Sequence, residues 1–274
     1  MKLTVITINY NNRDGLLRTL SSVTGQQLTE EQRREVEYIV VDGGSTDGSV
    51  DVIRRHAGGI TAWVSEPDGG IFNAMNKGVA MAKGEYVNFM NSGDRFHSPD
   101  VLAKTLPLLA GKDFYIGHQL NTGGSRTRRL YAPKKVSAAL LLHKALPHQS
   151  TFIKAGLLRK HPYREDLRLV SDWEQMLHEM VFCDATYGKI DHFVADFDTG
   201  GTSHKEDNRC LYHEETERVL REALPPRLHA FVTGGGNRYL RKIHFAAGEE
   251  KTLRRDWKIL RNAVKLLITD LFRR

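Results

Sequence analysis

Two cysteines in 274 residues, Cys183 and Cys210, stand 27 positions apart. They supply neither a disulfide framework nor the paired spacing of a zinc motif, and are expected to be reduced thiols. No stretch approaches the roughly 20 apolar residues of a membrane span. The start MKLTVITINYNN turns polar too soon for a secretion signal, so a cytoplasmic location is expected. Net positive charge is also scarce over most of the chain. Eight Lys and Arg face two Asp between Lys251 and Arg274, so nearly all of the net +7 sits there. A nucleic-acid enzyme more often carries its basic surface beside its site, with aromatic residues for stacking. No nucleic acid is therefore expected as a partner. Internal repeats and low-complexity segments are absent too.

What the chain does have is alternation. Leu3–Ile8, Glu37–Val41, Ile60–Val64 and Tyr86–Met90 are short β-branched or aromatic runs that read as strands. Between them lie helical stripes: Leu16, Leu17, Leu20 and Val23 after Asp14 as N-cap; Val50 and Ile53 after Asp47; and Ile71, Met75, Val79 and Ala82. Strand–helix alternation of this kind predicts an α/β fold with a mostly parallel sheet covered on both faces. Later, Ser98-Pro99 opens a helix to Leu109, Val136–Leu146 and Asp172–Phe182 read as helices, and Phe114–Gly117 and His192–Phe197 as strands. Pro225-Pro226 is the expected boundary between a domain of residues 1–224 and a basic, amphipathic helical extension, 225–274.

In open α/β sheets ligands gather at the carboxyl ends of strands, and a hard divalent cation needs carboxylate oxygen there. Asp94 follows the strand Tyr86–Met90 in the sequence SEPDGGIFNAMNKGVAMAKGEYVNFMNSGD. This points to an enzyme acting on a diphosphate substrate. Together with TVITINYNN, YIVVDGGSTDGS, HQSTF and SDWE, it resembles the family 2 glycosyltransferases of GT-A fold, especially the bacterial branch that builds surface polysaccharides. The resemblance covers most of residues 1 to about 203 and implies a Rossmann-like sheet flanked by helices, with a C-terminal helical appendage. It also implies an inverting transfer of a sugar from a nucleotide diphosphate, expected to be a UDP-sugar, to a hydroxyl of a glycan or lipid-linked acceptor.

Thr7, Asn9 and Tyr10 leave the first strand and Asp42 the second, so that all can converge on a base and ribose. The resemblance gives Asp42 and Asp68 to base recognition, although Gly43 stands where many relatives carry another Asp. Both carboxylates also fit simple Asx-Gly turns. At the metal position Asn91-Ser92-Gly93-Asp94 has Gly where the metal-binding Asp commonly stands. That leaves Asp94 to hold Mg²⁺ or Mn²⁺ with diphosphate oxygens and water, or else to cap a turn. Asn76 and Lys77 match a nucleotide-side stretch, and Asn91 is grouped with them, though lysines on amphipathic helices are usually solvated. Asp172 matches the general base, with helix capping as the competing role, and Glu174 is the fallback. His148 and Gln149 resemble an acceptor-side or diphosphate-side pair; a lone histidine is more often structural. Lys205 follows Gly200-Gly201, resembling a loop over the donor or a plain surface turn.

Two other enzyme classes fit less well. A retaining glycoside hydrolase needs a second carboxylate about 5 Å from the first, and a nucleotidyltransferase would usually carry a Gly-rich N-terminal signature. A non-catalytic sugar-nucleotide-binding subunit of a polysaccharide complex is the alternative of a different kind. Finally, Trp257, Leu260, Val264, Leu267 and Leu271 share one helical face among basic residues. That suits an anionic inner-leaflet surface, or packing on the catalytic domain or in a homodimer.

Overall fold

The computed structural model describes residues 1–123, 127–143, 145–200 and 208–236. The first four strands are β1 (Leu3–Asn9), β2 (Val36–Asp42), β3 (Ala62–Ser65) and β4 (Tyr86–Phe89). They pair in the order β3-β2-β1-β4, all parallel. Leu3, Val5, Tyr38 and Val40 enter one core, and Ile6, Ile8, Ile39 and Val41 enter another on the opposite face. Successive strand residues point to opposite sides, so a run apolar at every position marks a sheet covered twice.

Helices α1 (Arg13–Thr24), α2 (Glu30–Glu35), α3 (Ser49–Arg55) and α4 (Ile71–Met81) lie in the crossovers. Leu16, Leu20, Val52 and Ile53 fill one core; Phe72, Met75 and Val79 fill the other. The cap of α1 is Asn12, whose side chain accepts from Gly15 N at 3.2 Å, and Asp14 lies in the first turn instead.

Beyond β4 follow β5 (Arg95–Phe96), α5 (Val101–Thr105), β6 (Phe114–Thr122), β7 (Arg128–Leu130), α6 (Ala138–Leu141), β8 (Thr151–Lys154), α7 (Ala155–Lys160) and α8 (Ser171–Leu177). A π-helical turn, His178–Phe182, then leads to β9 (Tyr187–Asp198), α9 (Asn208–Ala223) and α10 (Pro226–Phe231). Here the sheet is mixed: β8 runs antiparallel to both β4 and β6, β9 is parallel to β6, and β5 closes antiparallel on β9. The helix expected to Leu109 becomes a 3₁₀ turn at Leu106–Leu108, because Pro107 has no N–H to continue the α pattern. Among the described residues of the stretch expected as one helix over Val136–Leu146, α6 is the helical part.

Pro225 separates α9 from α10, and Val232 beyond it is buried in the same core as Val219 and Leu220 of α9. Lys205 and the basic helix expected over 251–274 lie outside the described residues. Among the described residues no helix is long and apolar enough to cross a membrane.

Candidate active site

The carboxyl ends of β1, β2 and β4 meet through polar side chains. Asn9, at the end of β1, donates to Asp42 Oδ1 at 2.7 Å and accepts from Ser92 Oγ at 2.7 Å. Asp42, at the end of β2, is fully buried. It also accepts from Ser45 N (2.9 Å), Ser45 Oγ (2.6 Å) and Ser65 Oγ (2.7 Å). Burial opposes its ionisation, yet these hydrogen bonds prevail and hold its carboxyl below the usual range. Asp42 therefore organises three loops from a position already saturated with donors. Thr7 is buried one layer deeper, donating to Met90 O at 2.7 Å and hydrogen-bonded to Tyr38 Oη at 2.9 Å. Its hydroxyl holds β1 to the end of β4 rather than facing the cleft.

The groups open to a ligand at this end are Tyr10 and Asp68. Tyr10 is 67% exposed. Both border Gly43: a Cβ there would lie 2.5 Å from Asp68 Oδ2 and 3.2 Å from the Tyr10 ring. Only glycine lets the carboxylate and the ring close on this backbone together.

Asn76 and Lys77, on α4, serve neighbouring loops. Asn76 donates to Tyr163 O (2.8 Å) and Glu165 Oε1 (2.9 Å) and accepts from Tyr163 N (3.0 Å). Lys77 pairs with Glu66 at 2.7 Å and donates to Pro67 O at 3.2 Å. Asn76→Ala is expected to lower unfolding free energy by about 1–3 kcal/mol, since it strands the Tyr163 backbone groups. Denaturant titration would show this, and an unchanged midpoint would refute the clamp.

Asp94 follows Gly93, whose φ of +110° lies where side chains are disfavoured. The Thr19 hydroxyl from α1 pins this turn, donating to Asp94 O (2.6 Å) and accepting from Gly93 N (3.0 Å). The Asp94 carboxylate is 5% exposed and accepts from Asp198 N at 2.9 Å and from the Gln149 side chain. Burial, with a smaller contribution from the Asp198 charge, pushes its pKa up to about 7. Asp198, at the end of β9, has Oδ2 3.5 Å from Arg18. Among the described residues no Lys or Arg pairs with Asp94, and the buried Asn91 Oδ1 nearby has no hydrogen-bond partner. Two acidic side chains at one strand-end corner, the more buried one lacking a cation, suit a hard divalent ion.

Gln149 and His148 connect this corner to Asp172. Asn88, the one amide side chain within β4, donates at 3.0 Å to both Gln149 O and Thr151 O, fixing the turn. His148 is buried, stacked on Phe89 and 3.1 Å from Tyr163 Oη. Burial pushes its imidazole below the usual range, which favours the neutral form at pH 7. The Asp172 charge acts on His148, Tyr163 and Tyr212, in each case less strongly than burial does.

Asp172 is half-buried in the first turn of α8, whose N-cap is Val170, and among the described residues its carboxylate accepts no hydrogen bond. Trp173 is the core residue beside it, donating to Leu141 O at 2.7 Å. Glu174 lines a different cavity with Arg164, Leu177, His178 and Glu222. Two positions along a helix of 3.6 residues per turn put it on nearly the opposite side from Asp172.

The structure thus joins Asn9, Asp42, Tyr10 and Asp68 at one end and Asp94, Gln149, His148 and Asp172 at the other. Asp198, Asn88 and Tyr212 act on these groups without having been singled out in the sequence: Asp198 N donates to Asp94, Asn88 fixes the Gln149 turn, and Tyr212 feels the Asp172 charge. Asp198 ends an alternating strand, the same signal that marks Asp94, and Asn88 interrupts the apolar run YVNFM. Tyr212 had no such mark.

The family model described as Glycosyl transferase family 2 matches residues 4–163, more than half of the chain. The chain belongs to glycosyl transferase family 2. An uncharacterized glycosyltransferase of Mycobacterium tuberculosis is 36% identical over 211 residues, covering 74% of this chain and 78% of its own. A PGL/p-HBAD biosynthesis glycosyltransferase of Mycobacterium bovis is 26% identical over 147 residues, 51% of this chain and 56% of its own. Among solved structures, residues 1–349 of Staphylococcus aureus TarS, in complex with UDP-GlcNAc, superpose with a TM-score of 0.64 at 18% identity. That match covers 95% of this chain and 79% of that one; against a longer TarS chain the coverage of that chain is 42%. The mannosyltransferase PcManGT of Pyrobaculum calidifontis, solved with GDP-Man and Mn²⁺, gives 0.61 at 18% identity, covering 97% and 80%. At such identities the likeness shows the fold, which is that of GT-A transferases. This family 2 protein is a glycosyltransferase.

Proposed function

We propose that this family 2 enzyme inverts the anomeric centre of a sugar carried on a nucleoside diphosphate, UDP being the expected nucleotide. The sugar passes to a hydroxyl of a glycan or lipid-linked acceptor in surface-polysaccharide assembly. The observation that carries this is the pairing of an acidic corner, Asp94 with Asp198, with a half-buried carboxylate, Asp172, that accepts no hydrogen bond among the described residues. The donors named for the solved neighbours, UDP-GlcNAc and GDP-Man, support a nucleotide-sugar.

Tyr10 offers a ring face to the base and Asp68 an acceptor for a base N–H or ribose hydroxyl, while Asp42 holds the loops that present them. Asp172 takes the proton of the acceptor hydroxyl as its oxygen bonds to the anomeric carbon and the bond from that carbon to the diphosphate oxygen breaks. One displacement inverts the centre. His148, neutral and tied to Tyr163, positions the turn and leaves proton transfer to Asp172. Asp94 and Asp198 would hold Mg²⁺ or Mn²⁺, which when bound neutralises charge developing on the leaving diphosphate.

Incubation with a panel of nucleotide-sugars and a hydroxyl acceptor, followed by assay of nucleoside diphosphate release, tests this. Release from no donor would favour the non-catalytic binding subunit. Gly43→Ala is expected to weaken donor binding about tenfold, roughly one charged hydrogen bond, by displacing Asp68. Calorimetric titration with UDP checks it, and an unchanged Kd would remove Asp68 from the base pocket.

A further inference from the structure

A second cluster of donor atoms lies at the far end of α8. His161, His178, Glu179 and Cys183 each bring one ligand atom, all within 4.8 Å of one another. Glu179 Oε1 hydrogen-bonds His161 Nδ1 and lies 3.7 Å from His178 Nδ1, and Cys183 Sγ is 3.8 Å from His178 Nδ1. We propose that these four side chains form a structural zinc site.

Three observations carry this. The first is spacing: with Zn–N near 2.0–2.1 Å and Zn–S near 2.3 Å, tetrahedral ligands stand roughly 3.4–3.6 Å apart. The His178–Glu179 and His178–Cys183 separations are within a few tenths of that. The second is charge. Glu179 is only 1% exposed, and among the described residues its ion-pair partners are the two histidines, with no Lys or Arg. A buried carboxylate with no Lys or Arg beside it is costly to leave uncompensated, and a divalent metal supplies the missing charge.

The third is backbone. Residues His178–Phe182 form a π-helical turn, whose i to i+5 closure brings position 183 beside position 178, and such turns often occur at functional sites. Two imidazoles, a thiolate and a carboxylate suit Zn²⁺ better than the oxygen-seeking ions of the cleft. The 16 residues between His161 and His178 explain why Cys183 shows no zinc spacing in the sequence.

With four protein ligands the site is closed, and its effect is mechanical. It would fasten the end of α7 to the end of α8, about 9 Å along the helix axis from Asp172. The segment between them includes Tyr163, which His148 contacts.

Full-length protein, stripped with chelator and titrated with Zn²⁺ or Co²⁺, is expected to take up one equivalent at this site. The cobalt form should show a thiolate-to-cobalt charge-transfer band. Cys183→Ser should abolish that band; Cys210→Ser and Asp94→Asn should retain it, which separates this site from the cleft. His178→Ala should weaken zinc by more than the roughly 10–100-fold that loss of an outer partner costs. Zinc should raise the Tm of the stripped wild type but not of Cys183→Ser. If the wild type gives no thiolate band, or keeps it in Cys183→Ser, the cluster is only hydrogen-bonded and the proposal fails.

Discussion

Asp172→Asn is expected to lower turnover by roughly 10²–10⁴-fold, the span usual for removal of a general base. Donor affinity should hardly change, because the loss falls on the transition state. The fold should survive. Asp172 is not the N-cap of α8, and among the described residues it accepts no hydrogen bond that the amide would break. A folded mutant with wild-type turnover would overturn the assignment. Glu174 would not then inherit the role, since it lines the cavity with Arg164 and Glu222.

Asp94→Asn is expected to abolish turnover at any concentration of Mg²⁺ or Mn²⁺, and excess EDTA should do the same to the wild type. The pH dependence carries its own sign. Without a cation, Asp94 has its pKa raised to about 7 in the folded chain from an ordinary 3.8. Between those values the folded protein keeps a proton that the unfolded chain releases, so this group's contribution to stability declines as pH rises. The cation competes with that proton. Mn²⁺ affinity should therefore climb by up to about tenfold per pH unit below pH 7 and level off above it. In cation-free buffer at pH 8 the Asn variant should be at least as stable as wild type, because it removes a buried charge. Full turnover in EDTA, or Mn²⁺ affinity flat across pH 6–8, would refute the metal role.

Most of the parallel half of the sheet is legible in the sequence, because β1, β2 and β4 are buried on both faces and rich in apolar residues. The mixed half is not. Strand β8 is four residues, Thr151–Lys154, too short for a period to register, and its antiparallel placement between β4 and β6 depends on distant partners. The site divides in the same way. Carboxylates at strand ends declare themselves, as Asp42 and Asp94 do. Whether a polar side chain faces a ligand or a neighbouring loop does not. Asn76 and Lys77 look like ligand groups but hold Tyr163 and Pro67, because only tertiary contact decides which loop lies over α4. Cys183 fails for a related reason: ligand spacing rules assume local loops, whereas His161 reaches it from another helix.

The strand that supplies Asp198 comes last in chain order among the described strands, and its contact with Asp94 spans 104 positions of chain. During synthesis the ends of β1 and β2, with Asn9 and Asp42, can assemble early from sequence-local pairing. The acidic corner must wait until β9 docks beside β6, the slow, long-range closure of this topology. A nascent chain halted before residue 187 would carry Asn9, Tyr10, Asp42 and Asp68 but lack Asp198, the second carboxylate of the corner. On the proposed assignment, the nucleotide end is thus encoded in the early, locally paired strands, and the acidic corner is completed only by the late one.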